Sequence, residues 1–239
     1  MPPSTSVAPV HRRAPGFVGS TLAIARKDTL IELRSRSVIL SALAFAVLAI
    51  TIFFFAWDPT AVASIDLAPG VLWVIFTFSG LLGLHRSFGV EQPTRAMDAL
   101  LAAPVDREAI YLGKLIANLA FVIVVQAISL PAVALLYNVP IGGYVWPLIG
   151  VVLLASVGLV AVGTLFSSMA VSTRLAELLL PLLALPFFVP VILPAAQATA
   201  RLMNGRAVSE VSGYLSILAA FDVVFLVVCT LLYPYTLEQ

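Results

Sequence analysis

Long apolar runs alternate with short polar connections along most of this chain. A bilayer crossing needs about 20 mostly apolar residues. Six stretches qualify, at 38–57, 67–84, 115–137, 145–172, 178–200 and 214–235. Only the last contains a charged residue, Asp222. The run 145–172 is long, which predicts tilt or projection from the bilayer. The run 178–200 contains Pro181, Pro186, Pro190 and Pro194. Each proline removes a backbone hydrogen bond, so a kinked or broken helix is expected there. The pattern predicts an all-α integral membrane protein with six transmembrane helices in one domain, residues 18–239. The proline-rich tail, 1–17, has no apolar core and is expected to be disordered. No apolar run follows it closely enough to read as a cleavable signal peptide.

The polar positions carry a second pattern. Residues 18–36 read as a helix leading into the first span, with Val18, Leu22, Ala25, Thr29 and Leu33 on one stripe. Ile24 and Ile31 fall outside the stripe. An interfacial helix on the inner leaflet is expected. The connection 85–114 is the one long polar insert between two spans. There Met97, Leu100 and Leu101 share a helical face at i, i+3, i+4. Pro93 and Pro104 bound that helix, and Asp106 is placed to cap the next one, with Glu108 near its positive end. The result is a short transverse helix exposing an apolar trio, which reads as a docking element or as a solvated connector.

Basic residues orient the spans. With both termini in the cytoplasm, eleven Lys and Arg lie inside and two, Arg201 and Arg206, lie outside. That places residues 85–114 on the cytoplasmic side of the cell membrane. It also puts Trp57, Trp73 and Trp146 toward the outer side, as an aromatic belt or as a platform for a flat ligand.

Composition narrows the function. The chain is 61% hydrophobic and 10% charged, against about 25% charged in soluble domains. A net charge of +1 gives no basic field for nucleic acid. Cys229 stands alone, so no intrachain disulfide or redox pair is available. Neither histidine is assigned a ligand role: His11 lies in the tail and His85 at a helix end. No metal-ligand spacing or catalytic constellation occurs in the spans, which argues against an intramembrane enzyme. The only Gly-Lys pair, Gly113-Lys114, is followed by Leu115 and has Glu108 at the spacing of the first glycine, so it is not a phosphate-binding loop.

Asp222 costs roughly 2.5–3.5 kcal/mol at mid-membrane on insertion scales. A structural hydrogen-bond partner and a role in gating or a proton path both remain open for it. Gly163 and Ser167 form a small-xxx-small pair compatible with internal packing or with a homodimer. Arg174 and Glu177 are spaced for a local salt bridge.

Residues 91–107 fit the pattern E-x-x-x-[GR]-x-[LM]-[DE]-x-L-L-x-[AT]-P-V-[DS]-R, through Glu91, Arg95, Met97, Asp98, Leu100, Leu101, Ala103, Pro104, Val105, Asp106 and Arg107. This resembles the coupling segment of ABC-2-type exporter permeases. A narrower pattern, F-x-x-D-x-x-D-G-x-L-E, resembles the haem exporter protein B (CcmB) family of cytochrome c maturation permeases. Phe88, Glu91, Met97 and Asp98 follow it, the last three conservatively, while Thr94 and Arg95 depart from its Asp-Gly. Residues 67–88, the YLGK of 111–114 and the proline-rich 178–194 add to the resemblance, which covers about 18–235.

The resemblance implies a permease subunit without its own ATPase. A separate ABC ATPase subunit would bind Glu91, Arg95, Met97, Asp98, Leu100, Leu101, Pro104 and Arg107. It also implies a haem-handling membrane protein and a small membrane subunit as partners. ATP would enter only through the partner, haem would be a substrate, and no cofactor is assigned to this chain. The function implied is haem export or release of haem-loaded chaperone. Alternatives are an ABC-2 exporter of another substrate and a non-transporting membrane scaffold.

Overall fold

The computed structural model describes residues 16–35, 37–89, 105–139, 142–171 and 176–236. The tail and residues 90–104, which include most of the expected docking element, lie outside these. The described residues form seven helices: α1 (Phe17–Ser35), α2 (Ser37–Ala56), α3 (Ser64–Gly89), α4 (Arg107–Leu136), α5 (Val145–Val171), α6 (Ala176–Met203) and α7 (Val208–Thr236). Helices α2 to α7 contain six stretches long and apolar enough to cross a membrane, close to the sequence boundaries. Only helices span a bilayer with all backbone groups satisfied, short of a closed barrel, and this chain takes the helical solution. The end of the bundle where α3 stops and α4 starts is called lower below, and the opposite end upper.

Helices α3 and α5 are the most enclosed. Helix α3 packs on α2, α4, α5 and α6, while α5 packs on α3, α4, α6 and α7. Helices α2 and α7 present wide apolar faces outward, including Leu40, Val47 and Ile52 on α2 and Val223, Val227 and Leu231 on α7.

Helix ends follow local chemistry. At the upper end of α4, Asn138 takes a left-handed φ of 51°, Val139 N–H donates to Ala134 O and Asn138 N–H to Leu135 O. Gly205 does the same after α6 at φ 74°, with Arg206 N–H donating to Arg201 O. Both close the otherwise orphaned last carbonyls. In the α2–α3 connection, the Thr60 hydroxyl and N–H donate to Asp58, which holds that carboxyl below its ordinary range.

Four expectations change. Helix α6 is continuous through all four prolines, so the broken alternative falls. Asp106 occupies the N-cap of α4 but its side chain makes no capping bond; its backbone carbonyl accepts from Ala109 and Ile110 instead. Trp73 is not a belt residue. It is 1% exposed, and its Nε1–H donates to Thr199 Oγ1 at 3.1 Å, tying α3 to α6. On α1 the expected stripe is largely outward, with Val18 and Leu22 exposed. The off-stripe Ile24 is buried with Ser20, Thr21 and Ala25 against α4. The seat explains this: an ideal Cβ on Gly113 would lie 2.7 Å from Ile24 Cβ, so only glycine admits the isoleucine.

Candidate coupling site and intramembrane polar groups

Of the sequence-predicted coupling residues, Glu91, Arg95, Met97, Asp98, Leu100, Leu101 and Pro104 lie outside the described residues, as do Arg174 and the side chain of Glu177. Arg107 is described, and it opens α4. Its Nη1 donates to Pro234 O at 3.3 Å, joining the start of α4 to the end of α7.

The first turns of α4 form a hub. Tyr111 is fully buried; its hydroxyl donates to Ala161 O of α5 at 3.0 Å, and its ring lies 5.3 Å from that of Tyr233 on α7. Gly113 receives Ile24 of α1. Lys114 has no exposed surface, and its Nζ lies 3.4 Å from Asp28 Oδ2 of α1. Asn118 Nδ2 donates to Thr164 Oγ1 of α5 at 3.0 Å. Three neighbouring helices are thus fixed to the element that directly follows the 85–106 connection.

The element that precedes it is fixed as well. An ideal Cβ on Gly163 would lie 2.3 Å from Leu84 Cδ1 near the end of α3, and Ser167 Oγ donates to Leu84 O at 2.6 Å. The small pair at Gly163 and Ser167 therefore serves internal packing. Ser168 and Thr236 hydroxyls meet at 3.2 Å and close α5 onto α7.

Higher in the bundle, Gln126 Nε2 donates to Ser156 Oγ at 2.8 Å. Asp222 on α7 is buried, and its Oδ1 has no hydrogen-bond partner among the described residues. At the upper end, Asn204 Nδ2 donates to Asp66 Oδ1 at 3.3 Å, beside an open depression lined by Arg201, Arg206 and Glu210. Arg201 lies 5.0 Å from the ring centroid of Tyr214. Arg206 lies 4.0 Å from Glu210, so the two basic groups of this end are engaged locally.

Residues 20–239 match the family described as CcmB protein. The chain belongs to the CcmB family. Among its curated relatives, Heme exporter protein B of Paracoccus denitrificans is 33% identical over 160 residues, 67% of this chain and 73% of the relative. Heme exporter protein B of Rhodobacter capsulatus is 28% identical over 186 residues, 78% of this chain and 85% of the relative. The protein of the same name from Haemophilus influenzae is 27% identical over 175 residues, 73% and 79% of the two chains. As a CcmB-family chain with six long apolar helices, this is a multi-pass membrane protein of the permease type.

Sequence reasoning missed Lys114, counting it as a loop charge, and missed its partner Asp28. The signal was its place one turn and a half into an otherwise apolar run, next to a glycine. A charged residue there needs a partner on another helix.

Proposed function

We propose that this chain is the permease subunit of an ABC-type complex of cytochrome c maturation. In this reading a separate ATPase docks on the 91–107 segment, and its ATP turnover drives haem export or release of haem-loaded chaperone on the far side. The observation that carries it is the hub at the base of α4. Arg107, Tyr111, Gly113 and Lys114 connect the end of the docking segment to α1, α5 and α7. A push on that segment would therefore be delivered to most of the bundle. The relatives' shared name supports haem as the substrate. The ABC ATPase, a haem-handling membrane protein, a small membrane subunit and a second copy of this chain complete the proposed assembly. Both termini and the docking segment face the cytoplasm in the cell membrane, as the basic residues direct.

The test is co-purification in mild detergent of the tagged chain with the products of its neighbouring genes. A bound ATPase is expected. It should be lost on charge reversal at Arg95 or Asp98, or on replacing Met97, Leu100 and Leu101 by serine. A chain that retains no ATPase would instead support the scaffold reading. A complex that turns over ATP but leaves haem-loaded chaperone unchanged would support an exporter of another substrate.

A further inference from the structure

Asp222 lies near the middle of α7, 6% exposed. Its Oδ1 would lie 2.7 Å from a Cβ built on Gly158 of α5, so the carboxyl is seated where only glycine leaves room. The Phe221 ring abuts the same glycine and stacks on Phe225 at 4.1 Å, making this side of the seat apolar. No hydrogen-bond donor reaches Oδ1 among the described residues.

The surrounding helices offer no counter-charge at this depth. Helix α5 has no Asp, Glu, Lys, Arg, His, Tyr or Cys from Val145 to Val171. On α6, Glu177 and Arg201 lie at opposite ends. On α4, Arg107, Glu108, Tyr111 and Lys114 all lie in the first turns. On α7 itself the nearest titratable groups are Tyr214 and Cys229, each about two turns away. Glu210 and the Tyr233 and Tyr235 phenols are farther still. An ionised carboxylate here would face no cation, and its Oδ1 no hydrogen-bond donor, among the described residues.

We propose that Asp222 is an intramembrane proton-binding site whose occupancy depends on the packing of α7 against α5. While α7 sits on Gly158 the side chain is a neutral acid. Its O–H bond breaks, and the proton passes to water, only when the seam parts enough to admit water. By the same linkage, raising the pH favours the parted seam, because only that state accommodates the anion.

The chain supplies its own reporter. Cys229 is the sole cysteine, 1% exposed, on the same buried face of α7 as Asp222. Two measurements on the full chain in lipid nanodiscs test the proposal, comparing wild type with Asp222→Asn. The infrared spectrum at neutral pH should contain a carboxylic-acid C=O stretch that disappears in the variant. Maleimide labelling of Cys229 should rise with pH more steeply in wild type than in the variant, since thiol chemistry is common to both. An absent acid band, or superimposable labelling profiles, would overturn the proposal.

Discussion

The Lys114 ammonium lies 3.4 Å from the Asp28 carboxylate, with the lysine side chain wholly enclosed and the aspartate nearly so. This contact crosses the seam between α1 and α4 in the first turns of α4. Breaking a buried ion pair from one side costs about 3–5 kcal/mol. Asp28→Ala is therefore expected to lower thermal stability in nanodiscs by an amount near the lower end of that range, because Asp28 keeps slight exposure. Lys27 also touches Asp28, at 3.0 Å, but is far more exposed. Lys27→Ala should change stability by less than about 1 kcal/mol. The double variant Asp28→Ala/Lys114→Met should recover much of the loss. A double variant no better than Asp28→Ala would remove the pair as the cause.

Gly163 and Leu84 make a second prediction. A methyl at Gly163 would overlap Leu84, and overpacking of this kind costs about 1–3 kcal/mol. Gly163→Ala should destabilise the chain and Leu84→Ala should relieve it in the double variant. Gly150→Ala in the same helix meets nothing within 4 Å and should be tolerated. Equal melting temperatures for the two glycine variants would contradict this packing.

Tryptophan fluorescence separates the buried indole from the exposed one. Trp73 is enclosed and bonded to Thr199, whereas Trp146 is 82% exposed. Trp73→Phe should remove the most blue-shifted, least quenchable emission and cost about 1 kcal/mol through the lost hydrogen bond. Trp146→Phe should leave stability unchanged while removing the component most accessible to lipid-soluble quenchers. The reverse assignment would place Trp73 in the aromatic belt after all.

The prolines of α6 give a fourth test. Pro186 and Pro190 are exposed, opposite the buried Ala184, Phe188 and Val191. The carbonyls they free therefore lie on the outward side of a continuous helix rather than in a cavity. Pro190→Ala should keep full complex activity and raise thermal stability, since proline is unfavourable in a helix interior. Loss of activity with intact assembly would show that the missing hydrogen bond is used.

The spans were legible because a bilayer demands length and hydrophobicity, and both are read directly from the sequence. Which face of each span turns inward was not. In lipid the outer face is as apolar as the inner one, so the periodic contrast that betrays a soluble helix fades. Hence Gly163 and Ser167 were recognisable as a close-packing pair, but not Leu84 as their partner. Trp73 looked like a belt residue because its depth, not its direction, was visible. Ile24 looked like a flaw in the α1 stripe because the exposed stripe is the more regular one. Lys114 looked like a loop charge because Asp28, which neutralises it, is remote in sequence.

The seating of Ile24 on Gly113 has a consequence for biosynthesis. Helix α1 leaves the ribosome before α2 and α3, yet its seat is on α4. Until α4 has been made, Ile24 lacks its glycine seat and Asp28 lacks Lys114. Lys114 in turn enters the bilayer edge still awaiting α1. Docking of the first helix therefore has to follow the synthesis of α4, three helices later.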